Sequence, residues 1–218
     1  MRLVFLGAPG AGKGTQAERL AARLGIPHIS TGEMLRETAR MRTPLGKKLR
    51  PLLQSGRLIP DRLMTSILLN RISKNDAKKG YILDGFPRTL RQAQSLEAAL
   101  AKRGEKLSGV LYLDLPEKAA VERLSGRRTC ESCGKNFHIK FDPPKKKNLC
   151  DYCGSKLLQR DDDNKQTVRK RMRIYKKQTA GLISFYRKKK ILYRIDASKE
   201  KEDVAKEIYT AVNKLRLK

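Results

Sequence analysis

Short apolar runs alternate along the chain with longer stretches in which apolar residues return every three or four positions. Arg2–Leu6, Pro27–Ser30, Gly80–Asp84, Val110–Leu115 and Ile191–Asp196 are rich in Val, Ile, Leu, Tyr and Phe and are bounded by Gly, Pro or Asp, which predicts strands. Helical stretches lie between them. Parallel neighbours need a crossover of a dozen or more residues, so this alternation predicts an α/β fold: a five-stranded parallel sheet with helices on both faces. Such sheets bind ligands at the carboxyl ends of their strands. Near the end of the chain, Val168, Met172, Tyr175, Thr179, Leu182 and Tyr186 recur at spacings of four and three. They predict one long helix from about Asn164 to Tyr186 with a single stripe facing the core.

Two segments interrupt the alternation and read as small insertions. Thr31–Leu58 follows a strand but is helical twice over, Pro44 opening its second helix and Ser55-Gly56 closing it. Arg127–Asp163 holds turn residues, Pro143-Pro144, the run Lys145–Lys147 and all four cysteines, with little helical period. No apolar run approaches the roughly 18 residues of a membrane span, and Leu3–Leu6 breaks at once into Gly7-Ala8-Pro9-Gly10, too short for a signal-peptide core. A soluble, cytoplasmic protein without membrane partners is expected.

Charge adds the next constraint. The 218 residues carry 50 Lys and Arg against 22 Asp and Glu, a net charge of +28, while 39% are hydrophobic. That is enough for a packed core, so the charge points to anionic partners rather than to disorder. It is uneven: residues 164–218 hold 18 basic and 5 acidic side chains, against 9 and 6 in 127–163. Charge by itself does not separate a nucleotide enzyme from a nucleic-acid binder, and a solvated basic face explains much of a Lys-rich tail equally well.

Candidate chemistry begins at the first strand. Gly7-Ala8-Pro9-Gly10-Ala11-Gly12-Lys13-Gly14-Thr15 stands between a strand and a helix, where backbone N–H groups and a helix N-terminus converge on phosphate oxygens and Lys13 reaches the terminal phosphates. The residue after Lys13 is Gly14, and the hydroxyl comes one place later at Thr15. Magnesium therefore has to lean on phosphates, water and an outer-shell carboxylate. Asp84, ending the strand before Gly85-Phe86-Pro87-Arg88, is available for that role. Cys130-x-x-Cys133 and Cys150-x-x-Cys153 have the spacing of paired knuckles that place four thiolates in a tetrahedron, with Gly134 and Gly154 as turn residues. Structural zinc suits that set; disulfides, an iron–sulfur cluster and a nucleic-acid zinc ribbon are its alternatives.

Gly7–Thr15, Ser30–Arg36, Asp84–Arg88 with Gln92, Gly126-Arg127-Arg128, and Arg160–Asp163 with Thr167–Arg171 occur in an order that resembles the bacterial adenylate kinases with a long, zinc-bearing lid. The resemblance covers nearly the whole chain. It implies the P-loop nucleoside monophosphate kinase fold, with a core of residues 1–29, 60–126 and 164–218, an AMP-binding domain of 30–59 and a zinc-binding lid of 127–163. It implies reversible, Mg2+-dependent transfer of the ATP γ-phosphoryl group to AMP, giving two ADP, by a monomer with no obligatory nucleic acid. ATP would be held by Gly10, Ala11, Gly12, Lys13, Gly14, Thr15, Arg123, Arg127, Phe137 and Lys199. AMP would be held by Thr31, Gly32, Arg36, Ile59 with the Leu58 backbone, Gly85, Arg88, Gln92, Arg160 and Arg171. Lys13, Arg88, Arg123, Arg127, Arg160 and Arg171 would carry the transfer, and Cys130, Cys133, Cys150 and Cys153 the zinc.

The chemistry gives the arginines independent work, because phosphoryl transfer asks for positioning of two polyanions and guanidinium forks grip phosphate bidentately. Taken singly, each arginine can also be read as a surface ion pair; the motifs around them favour the phosphate role. Glu33 stands where the family more often has Asp, and Phe137 where it more often has Tyr, changes that touch fine specificity. Thr31 favours AMP over pyrimidine monophosphates by resemblance, while the donor base is open between ATP and GTP, with Asp196–Lys199 expected beside it. His28 and His138 are assigned to neither catalysis nor metal. The competing reading is a nucleotide-regulated nucleic-acid binder, which has no need of the second nucleotide site at Thr31–Arg36 and Asp84–Arg88.

Overall fold

A computed structural model of the chain describes residues 1–55 and 59–216. Gly56 and Leu58, to which the sequence assigned a helix end and a backbone contact, lie outside the described residues. Strands β1 (Arg2–Gly7), β2 (His28–Ser30), β3 (Tyr81–Asp84), β4 (Gly109–Asp114) and, late in the chain, Leu192–Asp196 form one five-stranded sheet. Its order is β2-β3-β1-β4 followed by Leu192–Asp196, and every pairing is parallel. The predicted sheet is thus observed, with ends shifted by one residue.

Both faces are covered because each strand sends alternate side chains to opposite sides. Val4 and Leu6 of β1 join one core with Leu83 and Val110, while Leu3 and Phe5 join the other with Ile82 and Leu111. Helices α1 (Lys13–Leu24) and α6 (Glu117–Ser125) serve the second core. Between them in sequence come α2 (Thr31–Arg40), α3 (Pro44–Gln54), α4 (Asp61–Ile72) and α5 (Leu90–Ala101), which serve the first. Ser30 caps α2 by accepting from the Glu33 N–H, and Thr43 caps α3 ahead of Pro44, so the two-helix insertion starts as read.

Residues 127–158 add a three-stranded antiparallel sheet, β5 (Arg127–Cys130), β6 (Asn136–His138) and β7 (Leu157–Leu158), ordered β6-β5-β7. Its apolar centre consists of Cys130, Phe137, Cys150 and Leu157. A core that small needs a further tie.

The long helix is corrected. It divides into α7 (Lys165–Gln178) and α8 (Ala180–Lys188), followed by β8 (Leu192–Asp196) and α9 (Lys201–Arg216). Thr179 stands at the break with φ −97° and ψ −24°, its hydroxyl donating to the Arg88 carbonyl at 3.0 Å, and Leu182 N–H closes a tight turn onto the Thr179 carbonyl. A tertiary bond to the loop after β3 overrides the local period there. Of the stripe, Val168, Met172, Thr179, Leu182 and Tyr186 are buried and Tyr175 is half-buried, but it does not face one core: Met172 and Tyr175 pack in the second core and Leu182 and Tyr186 in the first.

Candidate active site

The carboxyl ends of β1, β2 and β3 meet around the loop that joins β1 to α1. Gly10 and Gly12 have φ of +85° and +82°, backbone that favours glycine. A Cβ on Gly10 would come within 2.7 Å of the Ala120 carbonyl, so α6 also demands glycine there. The loop thereby turns its backbone toward an open cavity of about 490 Å³. Gly10, Ala11, Gly12, Lys13, Gly14 and Thr15 line it from the core, Arg123 from α6, Arg127 and Phe137 from the antiparallel sheet, and Lys199 from the turn after β8. Arg160, expected with the AMP group, lines this cavity also.

A second, narrower cavity of about 140 Å³ opens beside it, lined by Thr31, Gly32, Arg36, Ile59, Gly85 and Gln92 among others. Lys13, Arg36, Arg88 and Arg171 line both cavities and so mark the place where the two meet. Packing around the second cavity is tight. A Cβ on Gly85 would stand 2.7 Å from Thr31 Oγ1, and one on Gly32 3.2 Å from the Arg36 guanidinium.

The junction is strongly cationic. Lys13 Nζ donates to the Gly7 and Ala8 carbonyls, each at 2.9 Å. Burial of its ammonium brings its pKa down to about 8, with Arg88, Arg171 and Arg127 adding to the effect and Asp84 opposing it. Burial, and then Arg171, bring Arg88 down to about 10; burial, then Arg127 and Arg36, bring Arg160 to about 9. Unneutralised positive charge in a poorly solvated cleft is an anion site in energetic terms, because each added negative charge relieves it.

Asp84 is the counterweight beside the loop. A Cβ on Gly14 would be 3.4 Å from Asp84 Oδ2, so the carboxylate faces the position where most phosphate-binding loops carry a hydroxyl. Burial works against its ionisation, but His28, Lys13 and Arg88 outweigh it and hold the carboxyl below its usual range. An ionised carboxylate there fits an outer-shell role toward magnesium. His28, to which no role was given, stands with Nε2 3.7 Å from Asp84 Oδ2, an electrostatic contact too long for a hydrogen bond.

Three further acidic side chains hold the basic ones in place, and the sequence assigned them no role. Asp163, fully buried, accepts from Arg127 Nε and Nη2 at 2.7 and 2.6 Å and from Arg171 Nη1 at 3.2 Å. Asp162 pairs with Arg171 at 2.7 Å. Asp61, opening α4, accepts from Gln92 Nε2 at 2.8 Å and from Thr89 Oγ1 at 2.9 Å. Gln92 Oε1 in turn accepts the Arg88 N–H at 2.7 Å, and Arg88 Nε donates to the Gly85 carbonyl at 2.8 Å. Arg160 donates instead to Thr129 and Asn136, at 2.9 and 2.8 Å, within the antiparallel sheet. Lys199 is paired with Glu207 of α9, and Phe137 is buried in the small apolar centre while lining the larger cavity.

The four cysteines form one cluster, their sulfurs all within 4.8 Å of one another. Cys130 and Cys153 sulfurs are 3.4 Å apart, and Cys133 and Cys150 sulfurs 3.5 Å. Those separations are far beyond a disulfide and near the roughly 3.8 Å edge of a tetrahedron with Zn–S bonds of about 2.3 Å. The two knuckles repeat each other: Gly134 N–H returns to the Cys130 carbonyl and Gly154 N–H to the Cys150 carbonyl, with φ near +74° and +71°. The donor set is compatible with zinc.

Comparison with known proteins bears directly on this geometry. A family model described as adenylate kinase matches residues 5–191. The chain is 49% identical to an adenylate kinase of Caldicellulosiruptor saccharolyticus over 97% of its length and 99% of that protein's. It is 49% identical to an adenylate kinase of Archaeoglobus fulgidus over 99% of its length and 100% of the relative's. An adenylate kinase of Kosmotoga olearia is 48% identical over 99% and 100%.

Proposed function

The chain belongs to the adenylate kinase family and is an ATP:AMP phosphotransferase, and on that premise we propose how its residues divide the work. The 490 Å³ cavity takes ATP and the 140 Å³ cavity AMP, so that donor and acceptor phosphates face each other across Lys13, Arg88 and Arg171. The observation that carries this reading is the sharing of those side chains by both cavities.

Gly10–Thr15 cradle the donor phosphates with backbone N–H groups, and Lys13 turns from the Gly7 and Ala8 carbonyls to their oxygens. Arg123, Arg127 and Arg160 approach from the other side of the donor cavity. Arg36, Arg88 and Arg171 orient the AMP phosphate for in-line attack, while Thr31, Gly32, Ile59, Gly85 and Gln92 shape the pocket behind it. The arginines stabilise charge spread over the transferring group, and little covalent help is required. Asp84 would hold the magnesium that accompanies ATP, whose charge offsets that of the phosphates.

Residues 127–163 form the lid, 30–59 the AMP-binding domain, and the remainder the core. Cys130, Cys133, Cys150 and Cys153 hold structural zinc, four thiolates leaving no open position for catalysis. One chain lines both cavities, which suits a monomer, and reduced thiols dedicated to one metal suit the cytoplasm.

The division of cavities is tested by how substitutions distribute between the two Michaelis constants. Ile59→Ala, which alters the lining of the 140 Å³ cavity alone, is expected to raise KM for AMP several-fold and leave KM for ATP unchanged; Arg123→Ala, in the larger cavity alone, is expected to do the reverse. Equal effects on both substrates from either variant would contradict the assignment.

A further inference from the structure

Beyond the residues that line the cavities, one ion pair joins their two walls from outside. Glu18 lies on α1 one turn past Gly14 and Thr15, and its carboxylate pairs with the ammonium of Lys135. Lys135 follows Gly134 in the first cysteine knuckle and precedes Asn136, which with Phe137 and His138 lines the donor cavity. The pair therefore bridges the lid and the first helix, one turn beyond the phosphate loop.

Its place in the topology gives it purpose. Strand β5 leaves the core after Gly126 and β6 returns beside it, Arg127 facing His138, so Lys135 sits at the far end of this hairpin. The other ion pairs that tie the hairpin and its following loop to the core, Lys140–Glu122 and Lys201–Asp142, lie at the returning end. Lys135 is also held in position by the knuckle, its carbonyl accepting the Cys130 N–H at 2.8 Å. Among the described residues no other ion pair connects the knuckles to the core.

We propose that Lys135 and Glu18 are positioning residues, a clasp that stabilises the lid in its closed place over ATP and thereby sets donor affinity and the rate of reopening. This deepens the reading of 127–163 as a lid and rests on it. The two side chains remain substantially exposed, at 38% and 55%. Their contribution is accordingly that of a surface pair, about two- to five-fold in the ratio of closed to open forms at low salt, and screened as salt rises. Neither residue lines the AMP cavity, so acceptor affinity should not change.

The test uses the full-length enzyme with Glu18→Gln, Lys135→Gln, the double variant, and the exchanged pair Glu18→Lys with Lys135→Glu. At low ionic strength each single variant is expected to raise KM for MgATP two- to five-fold, with kcat unchanged or higher because reopening is faster. KM for AMP should stay constant, the double variant should cost no more than either single one, and the exchanged pair should recover the original KM. At high salt all five proteins should converge. Additive single effects, or no recovery on exchange, would overturn the clasp. Energy transfer between unnatural amino-acid probes at Lys146 and Thr210 separates the two levels of failure. No shortening of that distance on adding ATP would defeat the lid reading itself; equal shortening in every protein, at the same ATP concentration, would defeat only the clasp.

Discussion

Lys13 carries the sharpest consequence at the scale of single residues. Its pKa lies near 8, lowered by burial and by Arg88, Arg171 and Arg127, against 10.5 for an ordinary lysine. The free enzyme thus loses the Lys13 charge as pH rises through about 8, and kcat/KM for ATP is expected to fall along an alkaline limb centred there. Lys13→Arg, weaker overall, should lack that limb; a limb unchanged in this variant would assign it to another group. For stability the sign is opposite. Between about 8 and 10.5 the unfolded chain holds a proton the folded one has shed, so this group makes folding more favourable as pH rises through that window. Arg88→Ala should lower kcat about 10²–10³-fold with little change in Tm, since Arg88 faces the cavities and its backbone N–H, bound to Gln92, is retained. Loss of folding cooperativity in that variant would make its role structural. What could be read at this scale was contiguous: Gly10–Thr15, Asp84–Arg88 and the paired cysteines announce themselves by spacing. Asp61 and Asp163 do not, because their partners Gln92 and Arg127 lie 31 and 36 positions away and only the fold brings them together.

At the scale of elements, the parallel strands were legible because they are short, mostly apolar runs bounded by Gly, Pro or Asp. The break between α7 and α8 was not, because every residue of the buried stripe keeps its helical spacing through Thr179, and the cause is a hydroxyl bonded to the Arg88 carbonyl 91 residues away. Thr179→Val should keep the stripe buried and loosen the Arg88 loop. Its expected signature is a raised KM for AMP with unchanged KM for ATP, and an unaltered KM for AMP would show the bond to be incidental. The short strands β5, β6 and β7 escaped notice for another reason: their segments are brief, polar and separated by turns, and the cysteine cluster rather than a core organises them. Cys130→Ser should therefore reduce bound zinc and lower Tm by about 10 °C while leaving much of the activity when assayed well below that temperature. A variant that kept its zinc and its Tm would remove the metal's structural role.

For the whole molecule, the net charge of +28 overstates what the reaction uses, since the basic side chains shared by the two cavities are Lys13, Arg36, Arg88 and Arg171. At the junction Arg171 is tied by Asp162 and Asp163, whereas Arg169, Arg173 and Lys177 of α7 and Arg187 and Lys188 of α8 face solvent. Composition pointed to anionic ligands without distinguishing them; the pairing of a large and a small cavity across one cationic junction does distinguish, because a switch or a nucleic-acid grip has no use for the second. The central claim is that these two cavities are a donor and an acceptor site in line, with AMP the acceptor. It is tested most directly by following ADP formation from MgATP with AMP, GMP, CMP, UMP or no acceptor. Rapid ADP formation with AMP, at least about 10²-fold above that with any other acceptor or none, is the expected result. Comparable rates with a pyrimidine monophosphate, or ATP hydrolysis indifferent to AMP, would contradict it.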